Sequence, residues 1–316
     1  MRALVFDGSL RLVSDYPEPR RKPGESLIRP KAAGICNTDL EIIDGYMGYS
    51  GVLGHEFVGV VVESDQASLK NKRVVGEINL SCGRCDLCNA GMRTHCSSRT
   101  VLGIMGHPGV MADLCTLPDS NLHEVPENLS DEAAVFCEPL AAAFEILVQV
   151  PVEPGHRVIV LGDGKLGLLV AQVMKSTGAD VLLAGHSREK LSLARDWSIL
   201  TVLTDSLRTE AADVVVDCTG STKGFEMALE LVRPRGVIVV KTTTADKFSI
   251  NLAPLVINEI TVVGSRCGPF EPALKALADG SVRVAEMITK VFPMEQALEA
   301  FDVASRPETL KVIIRM

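Results

Sequence analysis

The apolar run Val158-Ile159-Val160-Leu161 leads directly into Gly162-Asp163-Gly164-Lys165-Leu166-Gly167, and a helix-like run follows as far as Ser176. This order predicts a buried strand, a tight glycine turn and a helix. Gly162 allows the tight turn, Gly164 lets the backbone approach a pyrophosphate, and Gly167 permits close packing of helix on strand. The helix N-terminus then faces the phosphate charge. A purely structural glycine turn is the alternative. The candidate cofactor contacts in this turn are Gly162, Gly164, Lys165, Leu166 and Gly167.

Short apolar strands and helical stretches alternate around this turn. Further strands are predicted, with helical residues between them, at 181–184, 214–217 and 237–240. Continuous apolar strands that alternate with helices are typical of a parallel sheet covered on both faces. The residues before 140 differ, because glycine and proline separate shorter strand-like runs such as 27–33 and 57–62. That texture predicts a β-barrel-like domain with functional loops.

The end of the second strand bears on the choice of dinucleotide. NAD-binding sites usually place an acidic residue there to hold the ribose 2′-hydroxyl. Here the strand runs into Gly185-His186-Ser187-Arg188, and Gly185 takes the acidic position. Arg188, with His186 and Ser187, can instead cradle a 2′-phosphate. The sequence therefore favours NADP, with NAD as the alternative if Ser187 only caps the next helix and Arg188 is a solvated surface residue.

Four cysteines lie within fifteen residues, with the spacing Cys-x2-Cys-x2-Cys-x7-Cys: Cys82, Cys85, Cys88 and Cys96. Four thiolates at this density can close a tetrahedron around zinc, and a closed site of this kind is structural. The surrounding stretch is rich in glycine and proline and has little apolar content to hold itself together. An iron–sulfur cluster also uses four thiolates, but the spacing favours a structural zinc ion.

A second set of metal-ligand types comes from three separate segments. Cys36, His55 and Glu138 offer a thiolate, an imidazole and a carboxylate. Three protein ligands leave a fourth position open, which is typical of a catalytic zinc site. Each residue alone is weak evidence, since isolated cysteines and histidines often serve only in packing. Cys137, next to Glu138, is a rival ligand.

The motifs Gly34-Ile35-Cys36-Asn37-Thr38-Asp39 and Gly54-His55-Glu56-Phe57-Val58-Gly59, the four-cysteine loop and the glycine turn follow one another along the chain. In this order the chain resembles the zinc-dependent medium-chain dehydrogenase/reductase (alcohol dehydrogenase) superfamily. The segment Glu138-Pro139-Leu140 is similar to its sorbitol, polyol and glucose dehydrogenase branch. The resemblance implies an α/β protein in which a GroES-like β-barrel catalytic domain accompanies a doubly wound parallel-sheet (Rossmann) cofactor domain. The implied limits are 1–139 for the catalytic domain, 140–266 for the cofactor domain and 267–316 for a segment that returns to the catalytic domain.

The resemblance also implies a role for each site residue. Cys36, His55 and Glu138 would bind the catalytic zinc, and Glu56 would enter or leave the metal shell. Thr38 would hydrogen-bond the substrate alcohol, and Asp39 would orient His55. Lys311 matches a basic position that contacts the cofactor pyrophosphate in relatives. Many relatives carry a histidine five residues after the ligand cysteine, where this chain has Glu41.

The expected activity is hydride transfer between an alcohol (a secondary alcohol, polyol or sugar) and NADP or NAD, with two zinc ions per chain. One alternative is a zinc-free enone or quinone reductase, or a catalytically silent member of the same fold. Another is a zinc-ribbon interaction protein built around the four cysteines. The expected substrate is a small-molecule alcohol or ketone. The expected oligomeric state is a homodimer or homotetramer.

Composition limits the other function classes. The 316 residues are 47% hydrophobic and 23% charged, which is ordinary for a globular protein of two domains. The net charge of −8 makes nucleic acid an unfavourable partner, and no apolar run predicts a membrane span. Nine cysteines without a predicted export signal are more typical of metal ligands and buried thiols than of disulfides. We therefore expect a cytoplasmic protein.

Overall fold

The computed structural model describes residues 1–208, 211–243 and 249–316. The strands in these ranges are β1 (Ala3–Phe6), β2 (Leu10–Val13), β3 (Glu25–Gly34), β4 (Gly51–Val52), β5 (Glu56–Glu63), β6 (Arg73–Gly76), β7 (Asn79–Leu80), β8 (Thr100–Leu102), β9 (Gly106–His107), β10 (Cys115–Pro118), β11 (Leu122–Glu124), β12 (Arg157–Leu161), β13 (Asp180–Gly185), β14 (Leu200–Leu203), β15 (Ala212–Asp217), β16 (Val232–Val240), β17 (Thr261–Gly264), β18 (Ile288–Pro293) and β19 (Lys311–Arg315).

The helices in the same ranges are α1 (Asn37–Ile43), α2 (Asp86–Asn89), α3 (Asp131–Ala134), α4 (Cys137–Gln149), α5 (Lys165–Ser176), α6 (Arg188–Asp196), α7 (Thr222–Leu231), α8 (Ala253–Ile257), α9 (Phe270–Ala278) and α10 (Ala297–Ala304). Ser130 caps α3 as predicted, because its Oγ accepts a hydrogen bond of 3.2 Å from the Ala133 amide. Among the described helices, none combines the length and apolar character that crossing a membrane requires.

The chain divides into two compact units. The first comprises Met1–Glu138 together with Ala273–Met316, and the second comprises Pro139–Pro272. These limits lie close to the ones expected from the sequence, 1–139, 140–266 and 267–316.

The first unit is built on a seven-stranded, mainly antiparallel sheet. Its strand order is β11-β6-β5-β3-β19-β18, and β10 pairs with β3 outside this path. The last two strands of the chain, β18 and β19, therefore complete a sheet whose first strand along the chain is β3. Three-stranded sheets β2-β1-β4 and β7-β8-β9 complete the unit. Strand β3 is central, because its C-terminal end pairs with β5 on one side and β19 on the other.

The second unit contains a six-stranded parallel sheet in the order β14-β13-β12-β15-β16-β17. Numbered within the unit, this order is 3-2-1-4-5-6, that of a doubly wound dinucleotide-binding sheet. Its strands carry buried residues on both faces, for example Ile159 and Val160 on opposite faces of β12, as continuous apolar runs require. The order reverses between β12 and β15, so the turn after β12 lies at the point where such sheets bind ligands.

Candidate metal centres and nucleotide-binding turn

The four predicted structural ligands lie together in the loop region between β7 and β8. The sulfur atoms of Cys82, Cys85, Cys88 and Cys96 all lie within 4.8 Å of one another. Cys85 Sγ is 3.5 Å from Cys88 Sγ and 3.8 Å from Cys96 Sγ. Zn–S bonds of about 2.3 Å in a tetrahedron put the sulfurs about 3.8 Å apart. A disulfide needs about 2.05 Å, and none of the nine cysteines, all of them within the described ranges, forms one. The donor set therefore fits a zinc ion.

Local hydrogen bonds prepare this loop for a cation. The Cys82 amide donates to Cys96 Sγ over 3.3 Å. The Cys88 amide, followed by the Cys88 side chain, lowers the pKa of Cys85 to about 6. Burial, followed by the neighbouring Cys85, raises the pKa of Cys88 to about 11. At neutral pH the cluster thus holds thiolate character at Cys85 before any metal binds, and a thiolate is the form that ligates zinc.

The second cluster consists of Cys36, His55 and Glu56, whose donor atoms also lie within 4.8 Å of one another. Cys36 immediately precedes α1, and His55 lies between β4 and β5. Pairing of β3 with β5 sets Glu56 opposite Gly34, two residues before Cys36. His55 and Glu56 are 3% and 1% exposed, so both polar side chains are taken out of water. A half-buried thiol, a buried imidazole and a buried carboxylate at one point form a donor set that suits zinc.

Asp39 organises this cluster from a fully buried position. Its Oδ2 accepts a hydrogen bond of 2.9 Å from the Cys36 amide, and its Oδ1 accepts one of 3.2 Å from the Gly54 amide. Oδ1 also lies 3.4 Å from His55 Nδ1, which has no hydrogen-bond partner among the described residues. Burial lowers the pKa of His55, but the interactions with Asp39 and Cys36 together outweigh it and raise that pKa well above its ordinary value. With Nδ1 directed at Asp39, Nε2 is the nitrogen left for a metal.

The carboxylate in the compact cluster is not the one that the sequence predicts as the third ligand. Glu56 lies in the compact cluster, whereas Glu138, the second residue of α4, lies outside it and is half-buried. The reason is the β3–β5 pairing, which holds Glu56 directly against the cluster. Cys137, the rival ligand, is also outside the cluster; it is fully buried, and burial raises its pKa well above the usual value.

Glu41 takes the position at which the sequence resemblance leads one to expect a histidine. Burial raises the pKa of Glu41.

Lys311 has a different partner from the one predicted. It is 1% exposed, and its ammonium forms an ion pair with Glu56. Burial lowers the pKa of Lys311, but the Glu56 charge, with smaller contributions from Cys36 and Glu138, raises it overall, so the group is a fixed cation. Lys311 is therefore the buried counter-ion of the cluster and presents no surface to a pyrophosphate in this structure. The reason is again the sheet, since β19 and β5 both pair with β3 at Gly34.

Gly34→Ala should damage this centre, because glycine leaves the room that the ion pair fills. A Cβ at Gly34 would contact Glu56 Oε2 and would lie 2.8 Å from Val135 Cγ1 and 3.2 Å from Lys311 Cδ. We expect the free energy of unfolding to fall by about 1–3 kcal/mol and zinc to be retained less well. Chemical denaturation and zinc quantification measure the two effects. Gly264→Ala is the matched control, since its added Cβ meets open space; equal behaviour of the two variants would contradict the argument.

The glycine turn has the geometry that its motif predicts. Gly162 has φ +105°, and a Cβ there would lie 2.7 Å from the Cys218 carbonyl oxygen. A Cβ at Gly167 would collide with the Gly162 carbonyl, so only glycine allows α5 to approach β12 this closely. Gly164 caps α5, which begins at Lys165 and continues with Leu166. The N-terminus of α5 therefore follows the carboxyl end of β12 after a short glycine turn, which is the arrangement of a phosphate site.

Two of the three residues predicted to hold a 2′-phosphate already form hydrogen bonds within the chain. Ser187 caps α6: its Oγ accepts from the Lys190 amide over 3.2 Å and donates to Glu189 over 2.9 Å. The backbone amides of His186 and Ser187 both donate to Asp163 Oδ2, over 2.9 and 2.7 Å. Arg188 and His186 keep exposed side chains. The sequence interpretation missed Asp163, although an acid inside the turn together with Gly185 at the usual acidic position was a visible signal.

Comparison with known proteins places these sites in a family. Residues 22–127 match the alcohol dehydrogenase GroES-like domain, and residues 166–279 match the zinc-binding dehydrogenase domain. A sorbitol dehydrogenase of Halalkalibacterium halodurans is 30% identical, over 96% of this chain and 94% of the relative. An L-threonine 3-dehydrogenase of Streptomyces avermitilis is 34% identical, over 95% and 94% of the two chains. The chain belongs to the zinc-dependent medium-chain alcohol dehydrogenase superfamily.

Solved structures agree with this family and its fold. A zinc-binding dehydrogenase from Sinorhizobium meliloti bound to NADP superposes with a TM-score of 0.90 at 27% identity, over 100% of this chain and 99% of the other. Alcohol dehydrogenase TADH from Thermus gives a TM-score of 0.91 at 29% identity, over the same shares. The predicted combination of a GroES-like domain with a parallel-sheet cofactor domain is thus confirmed, as is the resemblance to the polyol branch of the medium-chain dehydrogenases.

Proposed function

We propose that this medium-chain dehydrogenase is a zinc-dependent, NAD(P)-linked oxidoreductase that interconverts a secondary alcohol, polyol or sugar with its ketone or aldehyde. The observation that carries the proposal is the compact cluster of the half-buried Cys36 with the buried His55 and Glu56. Three donors of these types leave a fourth position for a substrate oxygen. The relatives named sorbitol dehydrogenase and D-xylulose reductase support the polyol class.

Each group of the first unit has a task in this proposal. A zinc ion held by Cys36, His55 and Glu56 supplies Lewis acidity that lowers the pKa of an alcohol. Asp39 fixes the His55 ring, and Lys311 balances the charge of Glu56. Thr38, whose Oγ1 lies 3.7 Å from Cys36 Sγ, binds and relays the hydroxyl proton of the substrate. Glu138 is close enough to raise the pKa of Lys311 electrostatically, and it is the alternative carboxylate ligand at the edge of the centre.

The second unit holds the nicotinamide cofactor, which accepts or returns the hydride. Gly162, Gly164 and Gly167 shape the turn that brings backbone amides to the pyrophosphate. Lys165 and Leu166 form the first residues of the helix whose N-terminus faces that charge. The second zinc ion, at Cys82, Cys85, Cys88 and Cys96, is structural, because four protein ligands leave no position for substrate.

The experiment combines metal quantification with turnover. We expect two zinc ions per chain and oxidation of at least one member of a panel of polyols, secondary alcohols and L-threonine with NAD⁺ or NADP⁺. One zinc ion per chain, with enone reduction and no alcohol oxidation, would favour the zinc-free reductase instead. Two zinc ions without turnover of any alcohol would favour a silent member of the fold.

We also propose that the protein works as a homo-oligomer in the cytoplasm. Strand β17 pairs only with β16 among the described residues, so one edge of the parallel sheet is open. Exposed apolar side chains lie on and beside it: Leu252, Val256, Ile257 and Val262. A second copy is a suitable cover for such an edge. Nine free thiols suit a reducing compartment.

Val262→Lys should weaken the oligomer, because it places a charge on the exposed edge strand. Light scattering after size-exclusion chromatography is expected to show a shift to smaller species at equal concentration. Lys223→Gln on α7 is a control that changes the net charge by one unit in the same compact unit but outside β17. A wild-type protein that is monomeric at every concentration would refute the proposal.

A further inference from the structure

The end of β13 carries a carboxylate that its own sequence lacks. Gly185 is the last residue of β13, at the position where NAD-binding sheets usually place an acid. A Cβ built at Gly185 would collide with the Cβ, Cγ and Oδ2 of Asp163. The Asp163 side chain therefore fills the space that a side chain at position 185 would need, and the two positions cannot both carry one in this arrangement.

The Asp163 carboxylate is held firmly in that place. Oδ2 accepts from two successive backbone amides, His186 at 2.9 Å and Ser187 at 2.7 Å. Two successive amides that converge on one point form an anion-binding concavity of the kind that takes phosphate oxygens. Here the concavity is already filled by an anion that belongs to the chain. Oδ1 remains as a second acceptor on the same carboxylate.

The donors that a 2′-phosphate would need are correspondingly few. The amides of His186 and Ser187 are bound to Asp163, and the Ser187 hydroxyl is bound to Glu189 and the Lys190 amide. Arg188 is an exposed cation whose charge acts on Glu189, and the same small region also holds the Asp163 carboxylate on the Ser187 amide. A phosphate with nearly two negative charges would be repelled by both carboxylates, whereas a ribose hydroxyl would find an acceptor.

We infer that Asp163, from the glycine turn, replaces the acid missing at position 185 as the acceptor for the adenosine ribose 2′-hydroxyl, and so selects NAD against NADP. This inference rests on the proposed function, because it assumes a dinucleotide on the turn after β12. It reverses the preference for NADP drawn from the sequence. The physical reason is that the sequence shows which residue ends β13, but only the fold shows that the carboxylate of a different segment occupies the same place.

Calorimetric titration of the purified protein with NAD⁺ and with NADP⁺ tests the inference without turnover. The wild-type protein should bind NAD⁺ at least about tenfold more tightly than NADP⁺, because one charge-assisted hydrogen bond contributes about that factor to an affinity. Asp163→Asn keeps the size of the side chain and removes its charge. We expect this variant to lose NAD⁺ affinity and gain NADP⁺ affinity, so that the ratio moves by about tenfold or more. Asp180→Asn, at the opposite end of β13, removes the same charge and should leave the ratio unchanged.

A swap of the carboxylate gives a second, independent arm. Asp163→Gly removes the side chain that blocks position 185, and Gly185→Asp in the same protein restores the acid at the strand end. The double variant should recover the NAD⁺ preference that Asp163→Gly alone loses. Wild type that binds NADP⁺ as well as NAD⁺, or Asp163→Asn with an unchanged ratio, would overturn the inference and leave the dehydrogenase proposal standing. Failure of wild type to bind either nucleotide would refute both.

Discussion

Cys36→Ser is expected to abolish alcohol oxidation while the protein stays folded. A serine hydroxyl is not ionised at neutral pH and is a poor zinc ligand, so the cluster would keep only His55 and Glu56 as strong donors. Loss of the zinc ion removes several kcal/mol of stabilisation of the negative charge that develops on the substrate oxygen. Each 1.4 kcal/mol corresponds to about a tenfold change in rate. We therefore expect turnover to fall by about a thousandfold or more. Zinc content should fall from two ions per chain to one.

The measurements are zinc quantification, initial rates and thermal unfolding on the same preparation. Cys36 lies at the start of α1 and only half-buried, so the melting temperature should change little. Cys115→Ala is the matched control: this thiol is buried in β10 outside both clusters, and burial raises its pKa to about 12. It should keep both zinc ions and full activity per folded molecule. Undiminished turnover by Cys36→Ser would mean that the catalytic centre is elsewhere.

Cys96→Ser is expected to have its main effect on stability. Cys96 is fully buried, accepts the Cys82 amide and lies 3.8 Å from Cys85 Sγ. Its loss leaves three thiols in a loop region whose regular structure consists of the short α2, a 3-10 turn at Arg93–His95 and the two- and three-residue strands β7, β8 and β9. Loss of a structural metal belongs to the small class of changes that cost on the order of 4 kcal/mol or more. The protein should retain one zinc ion, at the Cys36 cluster.

Chemical denaturation measures the loss, and limited trypsin digestion locates it. Arg84 lies between the ligands and is exposed, so cleavage after it should become rapid only in the variant. Met92→Ala changes an exposed side chain of the same loop and should leave zinc content and protease resistance unchanged. A Cys96→Ser protein with two zinc ions and wild-type stability would show that the four cysteines do not form one site.

Much of the fold follows from local pattern. The apolar runs at 158–161, 181–184, 214–217 and 237–240 became β12, β13, β15 and β16, because a strand buried on both faces needs an unbroken apolar run. Ser130 and the acids after it mark the start of α3 for equally local reasons. The return of the C-terminal residues to the first sheet is different. The apolar run at 312–314 marks a strand, but no local signal says that β19 pairs with β3.

The candidate sites show the same division between local and distant causes. The four cysteines lie within fifteen residues, so their spacing alone indicated a shared metal. The partner of Lys311 was unpredictable, since Glu56 is 255 residues away in the chain and only the β5-β3-β19 pairing brings the two together. The choice between Glu56 and Glu138 depended on the same pairing.

By itself, the sequence determined which chemical groups this protein has: the glycine turn, the thiolate cluster, and the cysteine and histidine of the second centre. These are short-range features, because turn conformation and closely spaced ligands depend on neighbouring residues. Only the tertiary structure decided which carboxylate lies in the cluster with Cys36 and His55, which cation pairs with that carboxylate, and that Asp163 fills the place left by Gly185. Those outcomes depend on strand order and register, which juxtapose residues that have no relation along the chain.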